Sequence, residues 1–405
     1  MNAQASVARL ERNVSKTLAL GFFQVFLVIM PIAVPFFQSK GLDMQEIFTL
    51  QALFAAVVLI TEVPSGYAAD LLGRKPTLVL GAVLAGIGHT LLLFADGFFG
   101  LALFEIALAV SCSLISGADL AMLYDTEAAM GRSEEQQRRV VGRLYSVNTF
   151  SEALAGVVCS LLLLASMELV IYVQALVGWV PLLLALRLVE PPAVRLERDG
   201  HLHQMGLICR HLLSHSRVLR LTFLALCIWS LTTFYAVWLI QQLWQQQGID
   251  LKMFGYLWAA LTAVSALAGR WAHAAEARFG TSGVLVFMGV LPAFGYLGLD
   301  LLGPVGAFVA SACFFVARGV GLVILREALN RRVPSSYRGT ANSLASFGFR
   351  GAFVLTGPWV GFVLDFWGMS ATLWLLAGAT LVIFAGLILP LLAAARAQHG
   401  MPEVV

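Results

Sequence analysis

The chain has 405 residues, of which 59% are hydrophobic and only 12% charged, and its mean hydropathy is +0.84. A soluble domain carries about 25% charged residues, so half of a normal solvated surface is missing and a soluble globular fold is excluded. The net charge of +3 is too small to argue for a nucleic-acid partner.

The first basic cluster, Arg9, Arg12 and Lys16, precedes an apolar run that continues to Phe37. A cleaved leader has a core of about 7–15 apolar residues, so this longer run reads as an uncleaved first helix. At about 20 apolar residues per crossing, the apolar runs predict an all-α integral membrane protein with twelve spans. These fall at residues 18–37, 47–69, 77–95, 99–123, 141–165, 168–188, 218–243, 253–275, 281–301, 304–327, 340–364 and 369–394. Connections rich in arginine, such as Arg74/Lys75, Arg132/Arg138/Arg139/Arg143 and Arg326/Arg331/Arg332/Arg338, alternate with connections that offer only Lys40 or Lys252. Positive loops stay in the cytoplasm, so both termini are expected there, in a bacterial inner membrane.

Glu190-Pro191-Pro192 stops the sixth span and opens the longest connection. The expected organisation is an N-terminal six-helix bundle (1–188), a cytoplasmic loop (189–217) and a C-terminal six-helix bundle (218–405). Residues 207–219 mix apolar groups with Arg210, His211, His215 and Arg217 and read as a basic stretch at the membrane surface. His211 and His215 lack a third ligand, so no metal is expected. Cys112, Cys159, Cys209, Cys227 and Cys313 are scattered and read as packing residues.

The halves are repeats. Phe37-Gln38-Ser39-Lys40-Gly41-Leu42-Asp43-Met44 matches Trp244-Gln245-Gln246-Gln247-Gly248-Ile249-Asp250-Leu251, and the same offset aligns Gly73 with Gly280. Between the second and third spans lies Gly66-Tyr67-Ala68-Ala69-Asp70-Leu71-Leu72-Gly73-Arg74-Lys75. This segment resembles the Gly-x-x-x-Asp-x-x-Gly-Arg-Lys hairpin that joins helices 2 and 3 of major facilitator superfamily transporters. Its echo in the second half is degraded, with Ala277 at the Asp70 position and Glu276 beside it.

The resemblance implies two pseudo-symmetric six-helix halves working by alternating access. It implies a gating motif of Gly66, Asp70, Gly73, Arg74 and Lys75. Asp70 would latch the cytoplasmic side by meeting the start of helix 11 near Gly339–Asn342, where a helix N-terminus attracts an anion. A plain basic loop is the alternative reading. The resemblance also places helices 1, 4, 7 and 10 around a cavity.

Ionisable groups inside a bilayer are costly and default to functional readings. Glu152, Asp119 and Glu62 are the proton-coupling candidates. The substrate-cavity candidates are Gln24, Glu105, Asn148, Trp229, Thr233, Tyr235, Trp258, Arg318 and Arg350. Acids lie in the first half and the intramembrane arginines in the second. Glu152 and Arg350 are either a bridge remade during cycling or, for Glu152, the proton site. Aromatic and polar groups around 229–242 suit a bulky, partly apolar ligand, against a bland reading as helix packing. Two departures from the drug-exporter pattern stand out. Glu105 occupies the helix 4 position where those exporters carry Arg, and a Gly357-Pro358 segment appears in helix 11 rather than helix 5.

No phosphate-binding loop occurs, and no nucleophile–base constellation points to an enzyme or a cofactor. The expected function is proton-driven export of a drug-like, secondary-metabolite or siderophore-like molecule by a monomer. Its expected partners are the small-molecule substrate, protons and the lipid bilayer. Uptake of a small polar or zwitterionic solute is the alternative, and a non-transporting receptor or scaffold is the alternative of another class.

Overall fold

The computed structural model describes residues 3–192, 201–334 and 337–399, with the side chains of 3–8, Val63, Asp70, Arg138, 201–205 and 398–399 outside the description. Among the described residues every regular element is helical. The first half contains α1 (Ala3–Val25), α2 (Ala33–Ser39), α3 (Met44–Leu72), α4 (Arg74–Leu91), α5 (Gly97–Ala129), α6 (Glu134–Leu163), α7 (Met167–Val177) and α8 (Val180–Leu186). Then follow α9 (His201–Ser214), α10 (Arg217–Leu224), α11 (Leu231–Gln246), α12 (Leu251–Leu301), α13 (Pro304–Arg332), α14 (Arg338–Ile383) and α15 (Leu389–His399).

Nine helical stretches among the described residues are long and apolar enough to cross a membrane. Two of them bend at a glycine outside helical geometry, Gly280 (φ 73°) in α12 and Gly368 (φ 83°) in α14, and so hold two crossings each. With α4, whose 18 residues span about 27 Å, the helices are consistent with the twelve spans expected.

Local chemistry sets the helix starts. Asp43 caps α3, accepting from the Glu46 amide at 2.8 Å while Glu46 accepts from the Asp43 amide at 3.2 Å. Ser133 and Gln136 do the same for α6. The repeated sequence elements have a backbone reason: Gly41 and Gly248 both have positive φ, as do Gly73 and Gly280, a region open to glycine because it lacks Cβ.

The first span is not one helix. The chain leaves α1 at Val25, makes a 3₁₀ turn over Met30–Ile32 and resumes as α2. Pro31 lacks an amide hydrogen and forbids a continuous ladder, and Gln174 Oε1 on α7 accepts from the freed Ile29 amide at 3.4 Å. The central connection contains a helix of its own. Residues 201–214 form α9, whose Ile208 and Leu212 are buried in the core of the second half. They are four apart on one helix face, so α9 docks on protein.

The chain divides into two compact units, Met1–Glu197 with Ile249–Ala260, and Arg198–Gly248 with Leu261–Val405. Helices in a bilayer gain little from apolar burial and associate through close packing of small residues. In the first unit a Cβ on Gly81 of α4 would stand 2.7 Å from Ile115 of α5, and Ser111 Oγ donates to Gly81 O at 2.8 Å. Gly86 of α4 lies under the Trp179 ring, whose Nε1 donates to Thr90 Oγ1 at 3.0 Å. The first turns of α12 cross α6 so closely that a Cβ on Gly255 would stand 2.1 Å from Gly156 O. In the second unit Gly319 of α13 meets the Ser265 carbonyl and Gly269 of α12 in the same way.

Candidate functional site

The charged hairpin turns at Gly73, whose φ of 104° ends α3 and starts α4. Arg74 Nε donates to Asp125 Oδ2 on α5 at 3.2 Å. The free amides that open α4 have a partner: Arg74 N donates to Glu190 Oε1 at 2.6 Å and Lys75 N to Glu190 Oε2 at 2.7 Å. A carboxylate thus sits on the positive end of the helix, the place where an anion is stabilised.

Glu190 is held there from a third direction. Asn13 of α1 is fully buried. Its Nδ2 donates to Thr126 Oγ1 and to Val189 O, both at 3.0 Å, and its Oδ1 accepts from Val189 N at 2.9 Å. Lys16 donates to the Arg187 carbonyl on the same strand of chain. One asparagine therefore ties α1, α5 and the residue before Glu190 together. The sequence marks Glu190 only as part of the stop after the sixth span and gives Asn13 no role. Their partners lie more than a hundred residues away, and no local spacing announces such contacts. The side chain of Asp70 lies outside the described residues; its backbone is in the last turn of α3. Gly66 lies in the same helix with open space around it.

The intramembrane candidates of the first unit are distributed over α1, α3, α5 and α6. Glu105 is buried, and Gln51 Nε2 on α3 donates to its Oε1 at 2.8 Å. Two to three turns further along the same pair of helices, Thr61 Oγ1 and Ser113 Oγ share a hydrogen bond of 2.7 Å. Asp119 is half-buried on α5, Glu62 half-buried on α3 and Glu152 half-buried on α6. Asn148, with its amide nitrogen facing them, donates to Gly21 O and Leu144 O, both at 3.2 Å, and so joins α6 to α1. Gln24 is half-buried near the break in the first span, with a buried Oε1 that accepts no hydrogen bond among the described residues. Trp258, early in α12, is buried.

In the second unit Trp229 ends a π-helical turn, Ala225–Trp229, and is buried against Gly321 of α13. Thr233 is buried and donates to Ser230 O at 3.1 Å. Tyr235 shares a hydrogen bond of 2.5 Å with Thr356 on α14 and lies 5.9 Å from the Phe353 ring. Phe234 adds edge contacts with Phe353 at 4.9 Å and Phe349 at 5.3 Å. Arg350, about one turn before Phe353, has a buried Nε without a hydrogen-bond partner among the described residues. Arg318 is half-buried on α13. The π turn and Phe234 escape sequence reading, because a π turn leaves no periodic signal in so apolar a segment.

Comparison with known proteins agrees with this architecture. The sequence profile of the Major Facilitator Superfamily matches residues 17–330. Among solved structures, a mutant of the nucleoside transporter NupG superposes with a TM-score of 0.78 at 14% identity, over 94% of this chain and 99% of that one. A bacterial homologue of the human lysosomal transporter Spinster, inward-facing and unoccupied, gives 0.73 at 15% identity, over 98% of each chain. A POT family transporter in complex with 5-aminolevulinic acid gives 0.70 at 12% identity, over 93% of this chain and 96% of that one. No functionally curated protein matches at the sequence level. The profile match covers most of the chain, and the chain belongs to the Major Facilitator Superfamily.

Proposed function

We propose that this protein is a proton-driven exporter of a drug-like, secondary-metabolite or siderophore-like molecule. It works by alternating access as a monomer, in an inner membrane with both termini in the cytoplasm. The observation that carries this reading is the aromatic group on α11 and α14, where Phe234 meets Phe349 and Phe353 edge to face and Tyr235 lies tilted against Phe353, with few polar groups among them. Such a wall suits a ligand that presents rings or apolar surface. The buried indole N–H groups of Trp229 and Trp238, which lack acceptors among the described residues, add donors for a ligand's polar atoms. The proton component rests on Glu62, Asp119 and Glu152, three carboxyls at membrane depth in one half of the chain.

A second reading, uptake of a small polar or zwitterionic solute, is favoured by a different observation. The Nε of Arg350, without a hydrogen-bond partner among the described residues, lies in one half and the buried Glu105 in the other, a separation that suits a solute with opposite charges. The similarity to a transporter solved with 5-aminolevulinic acid is in keeping with it.

The test is a dye-quenching assay in inside-out membrane vesicles energised to acidify their lumen. Aromatic and amphipathic compounds should release protons with the wild-type protein, and Glu152→Gln should lose the response. Proton release by polar zwitterions alone would replace the first reading by the second.

A further inference from the structure

The repeat offset carries Arg74 and Lys75 onto Thr281 and Ser282, and carries Glu190 onto Ala397. In the first half the Glu190 carboxylate occupies the start of α4. In the second half the equivalent residue has no carboxylate, yet the junction is kept: Arg396, beside Ala397, donates Nε to Ser282 Oγ at 3.4 Å. A cavity of about 650 Å³ opens here between α10, α12 around Gly280, α13 and α15.

The cavity has two chemical zones. Leu285, Ile324 and Leu391 form an apolar wall. Arg331, Arg332 and Arg396 form a basic rim, at the end of the bundle that the arginine-rich loops assign to the cytoplasm. Two carboxylates also line the cavity, and both are engaged. Glu327 is paired with Arg331 and lies 3.3 Å from His273 Nε2, and Glu276 accepts from Thr281 Oγ1 at 2.7 Å. Arg332 commits Nη1 to the Ala328 carbonyl at 2.9 Å, and Arg396 commits Nε to Ser282. A guanidinium has five N–H donors, so each keeps donors for a further acceptor.

We propose that this cavity binds the phosphate group of an anionic phospholipid. The phosphate takes the place that Glu190 fills in the first half, at Thr281 and Ser282 between Arg332 and Arg396, and the acyl chains lie along the apolar wall. An arginine rim over an apolar wall at the headgroup level is the arrangement that recognises such lipids.

The experiment is titration calorimetry on the full-length protein in a nonionic detergent. The probes are dioctanoyl phosphatidylglycerol, dioctanoyl phosphatidylcholine and inorganic phosphate. Phosphatidylglycerol should bind saturably and at least tenfold more tightly than the other two. Arg332→Gln combined with Arg396→Gln should weaken it tenfold or more. Ala397→Glu, which supplies the missing carboxylate at an exposed position and removes no arginine, should do the same while melting like the wild type. Affinity unchanged in both variants overturns the proposal. Inorganic phosphate binding as tightly as the lipid, with the same losses, would keep the phosphate seat but overturn its assignment to a lipid.

Discussion

Removing the Glu190 carboxylate tests how the hairpin is held. Its two oxygens accept the first amides of α4, at 2.6 and 2.7 Å. Glu190 is exposed, so its contribution belongs with that of a surface charge at a helix N-terminus, about 0.3–1 kcal/mol. The larger values of about 1.5–3 kcal/mol apply to charged hydrogen bonds in general and are screened here. Glu190→Ala loses both acceptors and the charge, about 1 kcal/mol, which corresponds to about fivefold faster local opening. Glu190→Gln keeps an acceptor and loses the charge, about half of that. The assay is amide hydrogen exchange at residues 74–77 in the purified protein. Salt gives a second check, because the Debye length falls from about 8 Å at 0.15 M to about 3 Å at 1 M. High salt should narrow the gap between wild type and Glu190→Gln and leave the gap between the two variants. Asn13→Ala, which frees Val189, should loosen the same turn. Equal exchange in wild type and Glu190→Ala would refute the capping argument.

Other outcomes follow from the same geometry. Glu105→Gln preserves the acceptor for Gln51 and should change stability by less than about 1 kcal/mol, whereas Glu105→Leu strands the half-buried Gln51 amide at a cost of about 1–3 kcal/mol; thermal melting in detergent separates the two. Gly255→Leu forces side-chain atoms into the Gly156 carbonyl and should cost at least about 1–3 kcal/mol, while Gly378→Ala, with open space around it, should cost nothing measurable on the same melts. Partial burial, and to a lesser extent the neighbouring His215, hold His211 below its ordinary value of 6.5. The imidazoles stack 4.2 Å apart, with Tyr337 6.0 Å from His211. The undocked helix then binds more protons than the docked one below pH 6.5, so α9 docking weakens as pH falls through that value and is insensitive above it. Hydrogen exchange across α9 should show this loss, and His211→Gln should remove it.

The hairpin and the repeat are legible in the sequence because they rest on glycines with positive φ, at Gly41 and Gly248 and at Gly73 and Gly280. Few other residues tolerate that conformation, so the constraint is written locally. The family, the all-helical membrane fold and the apolar spans follow from the same kind of local signal. The break in the first span was obscured because hydropathy continues across it, although Pro31 marks it. The Glu190 cap joins residues 115 and 116 positions apart, and the contacts of Asn13 with Val189 span 176. Such contacts are set by tertiary packing and leave no spacing pattern. Trp229 has the composition of a ligand-binding residue, but its burial against Gly321 is decided by which helix face meets α13.

The central claim is that the proton gradient drives movement of a small molecule through this protein. The most direct measurement uses the purified protein in liposomes loaded with a compound identified in the vesicle assay, with a pH difference imposed in either direction. Uphill movement that reverses when the pH difference is reversed, and that is lost on collapsing the gradient with an ionophore, is the predicted result. Flux that runs only down the compound's own gradient, at the same rate for either sign of the pH difference, would contradict the account.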